Sequence, residues 1–288
     1  MRFQDVRFAM AFVCTVMAGI YSSAGDAPVA GPAFKNGQTV AFVGDSITRD
    51  GLATIGGYGS LVIRSLEANG IAVKPIKAGN GGECSIHMLA RIDSIIAQKP
   101  DWVSLSCGVN DVGFSPQKAN VSLEDYKKAT SSLVDKIQAA GISVLLLTPT
   151  PVGEDPQNDQ NKRMAPYVEH IRALAAEKHC LLADLNAAMH AAIAGEAKGR
   201  TARLPGEAGV FLRDGIHMNQ LGDLVMARGI LLAIGMTPEL LKTAEAKLIA
   251  ADAPPSSSVA FQRFIPLNQY LLLDEAAKIG RRLSPGHA

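Results

Sequence analysis

Aromatic side chains are scarce in this sequence of 288 residues: they make up 5%, and Trp occurs once. So few rings leave little material for a bulky lid over a long hydrocarbon ligand, and no long apolar lid segment is evident. A surplus of one charge is missing too. Lys and Arg together number 28 against 27 Asp and Glu, a formal charge of +1 at neutral pH. Nucleic-acid binders neutralise phosphates with clustered Lys and Arg, and no such cluster occurs here, so nucleic acid is excluded as a partner. Cysteine is rare. Of four Cys, Cys14 lies near the N-terminus, and Cys84, Cys107 and Cys180 together allow at most one disulfide. Without a Cys-x-x-Cys pair or Cys/His ligand spacing, the sequence offers no structural zinc site. The apolar stretch from Phe8 to Ile20 falls short of the about 20 residues that span a bilayer.

That stretch has another meaning. Arg2 and Arg7 precede or open it and Ser22-Ser23-Ala24 follows, with small residues at the positions a signal peptidase reads. Residues 1–24 are therefore read as a signal peptide cleaved after Ala24, which exports the chain and leaves it with no integral membrane association. An uncleaved anchor and a lipid on Cys14 are the alternatives. The Ala-Phe-Val before Cys14 lacks the small residue expected beside a lipidated Cys. Either alternative still puts the rest of the chain outside the cytoplasm.

With 48% hydrophobic residues, the chain can bury one large core, and open α/β folds reach about 250 residues in a single unit. From Gln38 onward, short apolar runs alternate with longer amphipathic segments. Val40 to Val43, Ala72 to Ile76, Trp102 to Ser106, Ile142 to Leu147 and Leu181 to Leu185 read as buried strands. Helices are expected near Tyr58 to Ala68, Ser85 to Gln98, Leu123 to Ala140, Lys162 to Lys178 and Leu185 to Ala194, and again from Asn219 to Ile234. Strand and helix in alternation predict an α/β fold, a three-layer α/β/α sandwich around a five-stranded parallel sheet. Residues 25–235 form this domain. Residues 236–288 are read as a C-terminal helical extension packing on it: a helix from Pro238 to Ala251, a linker at Ala253 to Ser258, and a helical or mixed segment from Phe261 to Ile279. In such sheets ligands bind at the carboxyl ends of the strands, so the loops that follow the strands come next.

After the first strand runs Val43-Gly44-Asp45-Ser46-Ile47-Thr48. A Ser there presents its hydroxyl at the sheet edge as a nucleophile would, although Ser and Asp also cap helices and form turns. The Gly-x-Ser-x-Gly elbow is absent, since Thr48 stands where its second Gly belongs. After the second strand, Ala78-Gly79-Asn80-Gly81-Gly82 lets backbone N–H groups approach an anion or serves as a permissive turn. It satisfies neither the Gly-x-Gly-x-x-Gly nor the Walker pattern. The third loop, Cys107-Gly108-Val109-Asn110-Asp111, offers the neutral amide of Asn110 as a donor to developing negative charge, though Asn-Asp is common turn chemistry as well. The fourth, Arg213-Asp214-Gly215-Ile216-His217, places a carboxylate three residues before an imidazole. Within one turn Asp214 can accept the Nδ1 proton and aim Nε2 of His217 at a nucleophile. His87, His170, His179, His190 and His287 are read as packed or surface residues.

Taken together and in this order, the four loops resemble those of the SGNH hydrolases, also called the GDSL esterase and lipase family, over roughly residues 38–235. Gly44-Asp45-Ser46-Ile47-Thr48 is similar to the first block and Gly79 to the glycine of the second. Gly108-Val109-Asn110-Asp111 is similar to the third block, and Asp214-Gly215-Ile216-His217 to the last. The resemblance implies a flavodoxin-like fold and a Ser46, His217, Asp214 triad: nucleophile, general base then acid, and orienting carboxylate. It also implies an oxyanion hole from the backbone N–H groups of Ser46 and Gly79 with the Asn110 side chain, and Asp45, Gly108 and Asp111 in support. One departure is Lys77, where many relatives carry Asn shortly before the second-block glycine.

No metal or organic cofactor is implied; Asp155 and Asp159 lack EF-hand spacing. The substrate expected is a small-molecule or polysaccharide ester. The polar segment Gly153 to Lys162 either rims the site or is a solvated loop. A polar rim and export favour short acyl groups on carbohydrate, acetyl above all, as many relatives of this type remove. A lysophospholipase or short-chain lipase is the nearest competitor. A non-catalytic carbohydrate-binding protein on the same fold is the reading from another class, opposed by a nucleophile paired with a base.

Overall fold

The computed structural model describes residues 31–113, 119–199 and 209–252. The segment read as a signal peptide, the linker after residue 252 and the helical or mixed segment beyond it lie outside the described residues. Five strands form one sheet: β1 (Thr39–Gly44), β2 (Lys74–Gly79), β3 (Trp102–Ser106), β4 (Ser143–Leu147) and β5 (Leu181–Ala183). Every pairing is parallel, in the order β2-β1-β3-β4-β5. The chain builds outward from β1 on one side and then crosses to the other, so the sheet has its topological switch point between β1 and β3.

The helices are α1 (Ser46–Gly51), α2 (Tyr58–Ala68), α3 (Ser85–Ile96), α4 (Val109–Val112), α5 (Leu123–Ala139), α6 (Asp159–Glu177), α7 (Leu185–Gly199), α8 (Gln220–Ala233) and α9 (Pro238–Asp252). They pack side by side in two groups, α3 with α5 and α6, and α9 with α2, α8 and α7. Residues of β1, β3 and β4 are buried almost throughout, as expected of parallel strands covered on both faces. Helix α5 shows how the amphipathic segments are made. The Ser122 side chain caps it by accepting the Asp125 N–H, and Tyr126, Ala129, Leu133, Val134 and Ile137 form its buried face. Cys84, Cys107 and Cys180 are free thiols, so none of the permitted disulfides forms among them.

Among the boundaries that differ from the sequence reading, those of three elements have local reasons. Strand β2 begins two residues after Ala72 and runs three residues past Ile76, to Gly79. It is an edge strand and half exposed, so Pro75 and Lys77 are tolerated within it. The more apolar Ile71 to Val73 only leads in. Helix α6 starts at Asp159 rather than Lys162, because the Asn158 side chain accepts the Asn161 N–H and caps it there. Strand β5 stops at Ala183, where the Asp184 carboxylate accepts the Ala187 N–H and starts α7. Helix α9 lies against α2, with the Asn69 side chain donating to the Leu240 carbonyl at 3.0 Å and Ala244 buried.

Candidate active site

The nucleophile candidate is set by the cap of a short helix. Asp45 has extended backbone angles and its carboxylate accepts the Ile47 N–H at 2.9 Å, so α1 starts at Ser46, directly at the carboxyl end of β1. Close packing holds this turn. A Cβ on Gly44 would stand 2.0 Å from Thr48 Oγ1, and Thr48 in turn accepts a hydrogen bond from the buried Tyr58 hydroxyl at 2.8 Å.

Ser46 Oγ lies 2.8 Å from His217 Nε2, and His217 Nδ1 lies 2.7 Å from Asp214 Oδ2. The other carboxylate oxygen, Asp214 Oδ1, accepts the backbone N–H groups of Ile216 at 3.0 Å and His217 at 2.7 Å. Partial burial alone would raise the Asp214 carboxyl; these donors and the facing imidazole outweigh it and bring the pKa down to about 2. Asp214 therefore stays a carboxylate under ordinary conditions. The loop that carries the pair does not end a sheet strand, as the sequence suggested. It is a small turn closed by an antiparallel bridge between Leu212 and Met218 and by the Arg213 N–H donating to the His217 carbonyl, with Gly215 at φ +86°. Two contacts steady it from outside. Arg213 pairs with Asp50 of α1, and the Glu154 carboxylate accepts the backbone N–H groups of Phe211 and Leu212. The polar segment Gly153 to Lys162 is thus a brace for the His217 loop, and its second half is the first turn of α6.

Gly79 and Asn110 reach the same edge from the strands flanking β1. Gly79 lies opposite Gly44 in the β1–β2 register. A Cβ on Gly79 would stand 2.3 Å from the Arg49 nitrogen and 2.9 Å from the Thr48 carbonyl carbon. Only glycine lets the second loop approach the backbone of α1 so closely. Asn110 sits in α4, just after β3, where Gly108 at φ +128° turns the chain against Pro149. Its Nδ2 donates to Asp45 Oδ2 at 3.2 Å and to the Glu83 carbonyl at 3.1 Å. Asp111, fully buried, accepts the Ser85 N–H and hydroxyl at the start of α3, and burial raises its pKa. Lys77 donates to the Leu52 carbonyl at 3.0 Å, tying β2 to the end of α1. Two other histidines serve elsewhere: His87 Nδ1 accepts the Cys84 N–H at the start of α3, and His170 pairs with Thr130.

Sequence reasoning missed a second ring of contacts. Arg91, on α3, forms a bidentate pair with Glu83 and also donates to the Ala78 carbonyl at 2.7 Å and the Gly44 carbonyl at 3.4 Å. Eight residues separate Arg91 from Glu83, and only the turn into α3 brings them together. Asn120 donates to the Asn110 carbonyl at 2.8 Å. No residue type or spacing announces either contact.

Burial of Asp45 has a measurable consequence. Desolvation pushes its carboxyl up to about 6, against the pull of the Ile47 N–H and of His217. The unfolded chain releases this proton near pH 4, and the folded chain holds it until about 6. The folded state therefore binds more protons across that window, and stability is expected to fall as pH rises through it. The loss is complete above pH 6 and amounts to roughly 3 kcal/mol for this group. Asp223, also raised to about 6 by burial, adds a decline of the same sign. Denaturant unfolding of the wild type and Asp45→Asn between pH 4 and 7 is expected to show a shallower decline in the variant. An unchanged decline would exclude a buried, late-titrating Asp45.

A nucleophile, an imidazole and a carboxylate in one hydrogen-bonded line, beside two loops of donors, make a set fit for acyl transfer. Known proteins share the fold. An acetylxylan esterase of Geobacillus stearothermophilus is 28% identical over 219 residues, which cover 69% of this chain and 95% of that protein. The crystal structure of the Geobacillus stearothermophilus acetylxylan esterase Axe2 superimposes with a TM-score of 0.62 at 27% identity, over 71% of this chain and 97% of that one. That of the acetyl xylan esterase AlAXEase gives 0.61 at 31% identity, over 68% and 99%. The model of the GDSL-like lipase/acylhydrolase family matches residues 42–224, from within β1 into α8 and across all four loops. The chain belongs to that family and is a carboxylic ester hydrolase.

Proposed function

We propose that this enzyme removes short acyl groups, acetyl above all, from carbohydrate esters through an acyl-enzyme on Ser46. The observation that carries the reading is the unbroken line from Ser46 Oγ through His217 to Asp214, with both links under 3 Å. Ser46 Oγ attacks the ester carbonyl carbon while His217 Nε2 takes its proton. The tetrahedral oxyanion is held by the backbone N–H groups of Ser46 and Gly79 and by the Asn110 amide. The carbon–oxygen bond to the alcohol then breaks, and His217 returns the proton to the departing oxygen. Water repeats the steps on the acyl-enzyme and releases the acid. Asp214 keeps Nδ1 protonated and supports the imidazolium formed at each attack.

Carbohydrate as the alcohol side is supported by the acetylxylan esterases among the similar proteins and by the polar segment Gly153 to Lys162 beside the His217 loop. Arg2, Arg7, the apolar stretch to Ile20 and Ser22-Ser23-Ala24 support export, with 1–24 removed and 25–235 as the catalytic domain. A panel of p-nitrophenyl esters from acetate to octanoate, with acetylated xylan, acetylated pectin and a lysophospholipid, tests the substrate. The expected result is acetate release from an acetylated polysaccharide and a kcat/KM that falls about tenfold or more from acetate to octanoate, since one methylene group is worth up to about 200-fold in a fitted pocket. Rates that climb with acyl length, or preferred cleavage of the lysophospholipid, would transfer the assignment to lipid esters.

A further inference from the structure

We infer that Arg91 and Glu83 are a positioning pair for the oxyanion hole, acting on the loop after β2 and on the Asn110 amide without touching substrate. The inference rests on the hydrolytic reading above. Its starting point is that one guanidinium touches the ends of β1 and β2 and is joined to the third loop through Glu83. Arg91 Nε bonds to both carboxylate oxygens of Glu83 at 2.9 and 2.8 Å, and Nη2 donates to the Ala78 carbonyl at 2.7 Å and the Gly44 carbonyl at 3.4 Å. Gly44 leads into Asp45-Ser46, Ala78 into Gly79, and the Glu83 backbone carbonyl accepts from Asn110 Nδ2 at 3.1 Å. The Glu83 side chain also accepts from Asn80 at 2.8 Å.

The Ala78 bond has a specific effect. The Ala78 carbonyl and the Gly79 N–H are the two ends of one planar trans peptide and point in opposite directions. A cation on the oxygen fixes the tilt of that plane. Arg91 thus fixes the end of β2 where the second loop begins, while Glu83, held by Arg91, presents the carbonyl that holds the Asn110 amide. Only 22% of the Arg91 side chain and 16% of the Glu83 side chain are exposed, so solvent and salt screen the pair weakly. The arrangement uses the fork of a guanidinium. A Lys ammonium is a point charge on a flexible stem and cannot serve the carboxylate and the carbonyls together in this geometry.

The test compares Arg91→Ala, Arg91→Lys and Glu83→Gln with the wild type and with Ser46→Ala on p-nitrophenyl acetate. Thermal unfolding and circular dichroism run alongside. For folded Arg91→Ala the expected result is a kcat lowered ~10- to 100-fold with KM altered less than ~3-fold, as for weakened transition-state donors. Arg91→Lys restores only part of the loss. In an Asn110→Ala background the effect of Arg91→Ala shrinks at least ~3-fold, because residues acting as one unit are not additive. An equal loss in both backgrounds, or wild-type kcat in the folded variant, overturns the proposal. Should Arg91→Ala not fold, Glu83→Gln, which keeps the side-chain shape, is judged by the same two criteria. Persistent turnover in Ser46→Ala would instead strike the hydrolytic reading itself, an outcome no Arg91 variant produces.

Discussion

Ser46→Ala is expected to lower ester turnover by about 10⁴-fold or more, to a level near the background left by binding and oxyanion donors alone. The substitution removes one oxygen and little else. Helix α1 is capped by the Asp45 carboxylate, not by Ser46, so the turn at the end of β1 stays in place and the thermal midpoint should move little. Because nucleophile and base act as a unit, His217→Ala should cost about as much, and the double variant should lose scarcely more than either single one. Turnover of p-nitrophenyl acetate and covalent labelling by a fluorophosphonate probe check this together. The wild type should label at Ser46, and Ser46→Ala should neither label nor turn over. A folded Ser46→Ala with wild-type rate refutes the mechanism. A wild type that is folded, unlabelled and inactive on every ester would instead favour the carbohydrate-binding reading.

The parts of this arrangement that were legible in the sequence share one property: they follow from local chemistry at fixed places in a repeating pattern. A Ser after Gly-Asp at the end of a buried strand, a glycine at the end of the next, an Asn after the third and an Asp three residues before a His can each be named without coordinates. The parallel sheet then brings Ser46, Gly79 and Asn110 to neighbouring strand ends in the order β2-β1-β3. His217 arrives from a turn far along the chain, and its distance of 2.8 Å to Ser46 Oγ is a fact of packing. The extent of β2 was misread because apolarity marks buried strands, and an edge strand carrying Lys74, Pro75 and Lys77 is bounded by its register with β1 instead. The start of α6 was misread because its apolar period begins later than its cap at Asn158.

What stayed hidden is long-range and polar. Arg91 looks like one more charge on an amphipathic helix, and Glu83 like a loop residue. Glu154 looked like part of a solvated stretch, yet its carboxylate accepts the Phe211 and Leu212 N–H groups and so braces the turn that holds His217. Side chains of this kind leave no periodic trace, since their partners lie on other elements and their spacing is set by the fold. The motif residues are legible because the chemistry limits them to few residue types, whereas the residues that hold them in place belong to types found everywhere on a surface.

Asn110→Ala is expected to lower kcat on acetyl esters by about 10²- to 10³-fold with a small change in KM, the loss typical of one oxyanion donor. Both Nδ2 hydrogens are engaged before substrate arrives, one by Asp45 Oδ2 at 3.2 Å and one by the Glu83 carbonyl at 3.1 Å. Both bonds are at the long end of the normal range. A developing oxyanion is a stronger acceptor than a peptide carbonyl, so one of these bonds is traded as the tetrahedral intermediate forms, and the donor tightens only then. That trade is why the effect belongs in kcat. The ground-state ester carbonyl, nearly neutral, has little to offer in exchange. Local structure should survive the change, because the turn at Gly108 and the bond from Asn120 to the residue 110 carbonyl use backbone atoms. Asn110→Asp keeps the size but sets an acceptor, and above its pKa a charge, next to Asp45 and the oxyanion. It should therefore be at least as damaging as Ala. If the Asp variant were to retain more activity than the Ala variant, or if Ala cost less than about threefold, the amide would be filling space and the negative charge would be met by backbone donors alone.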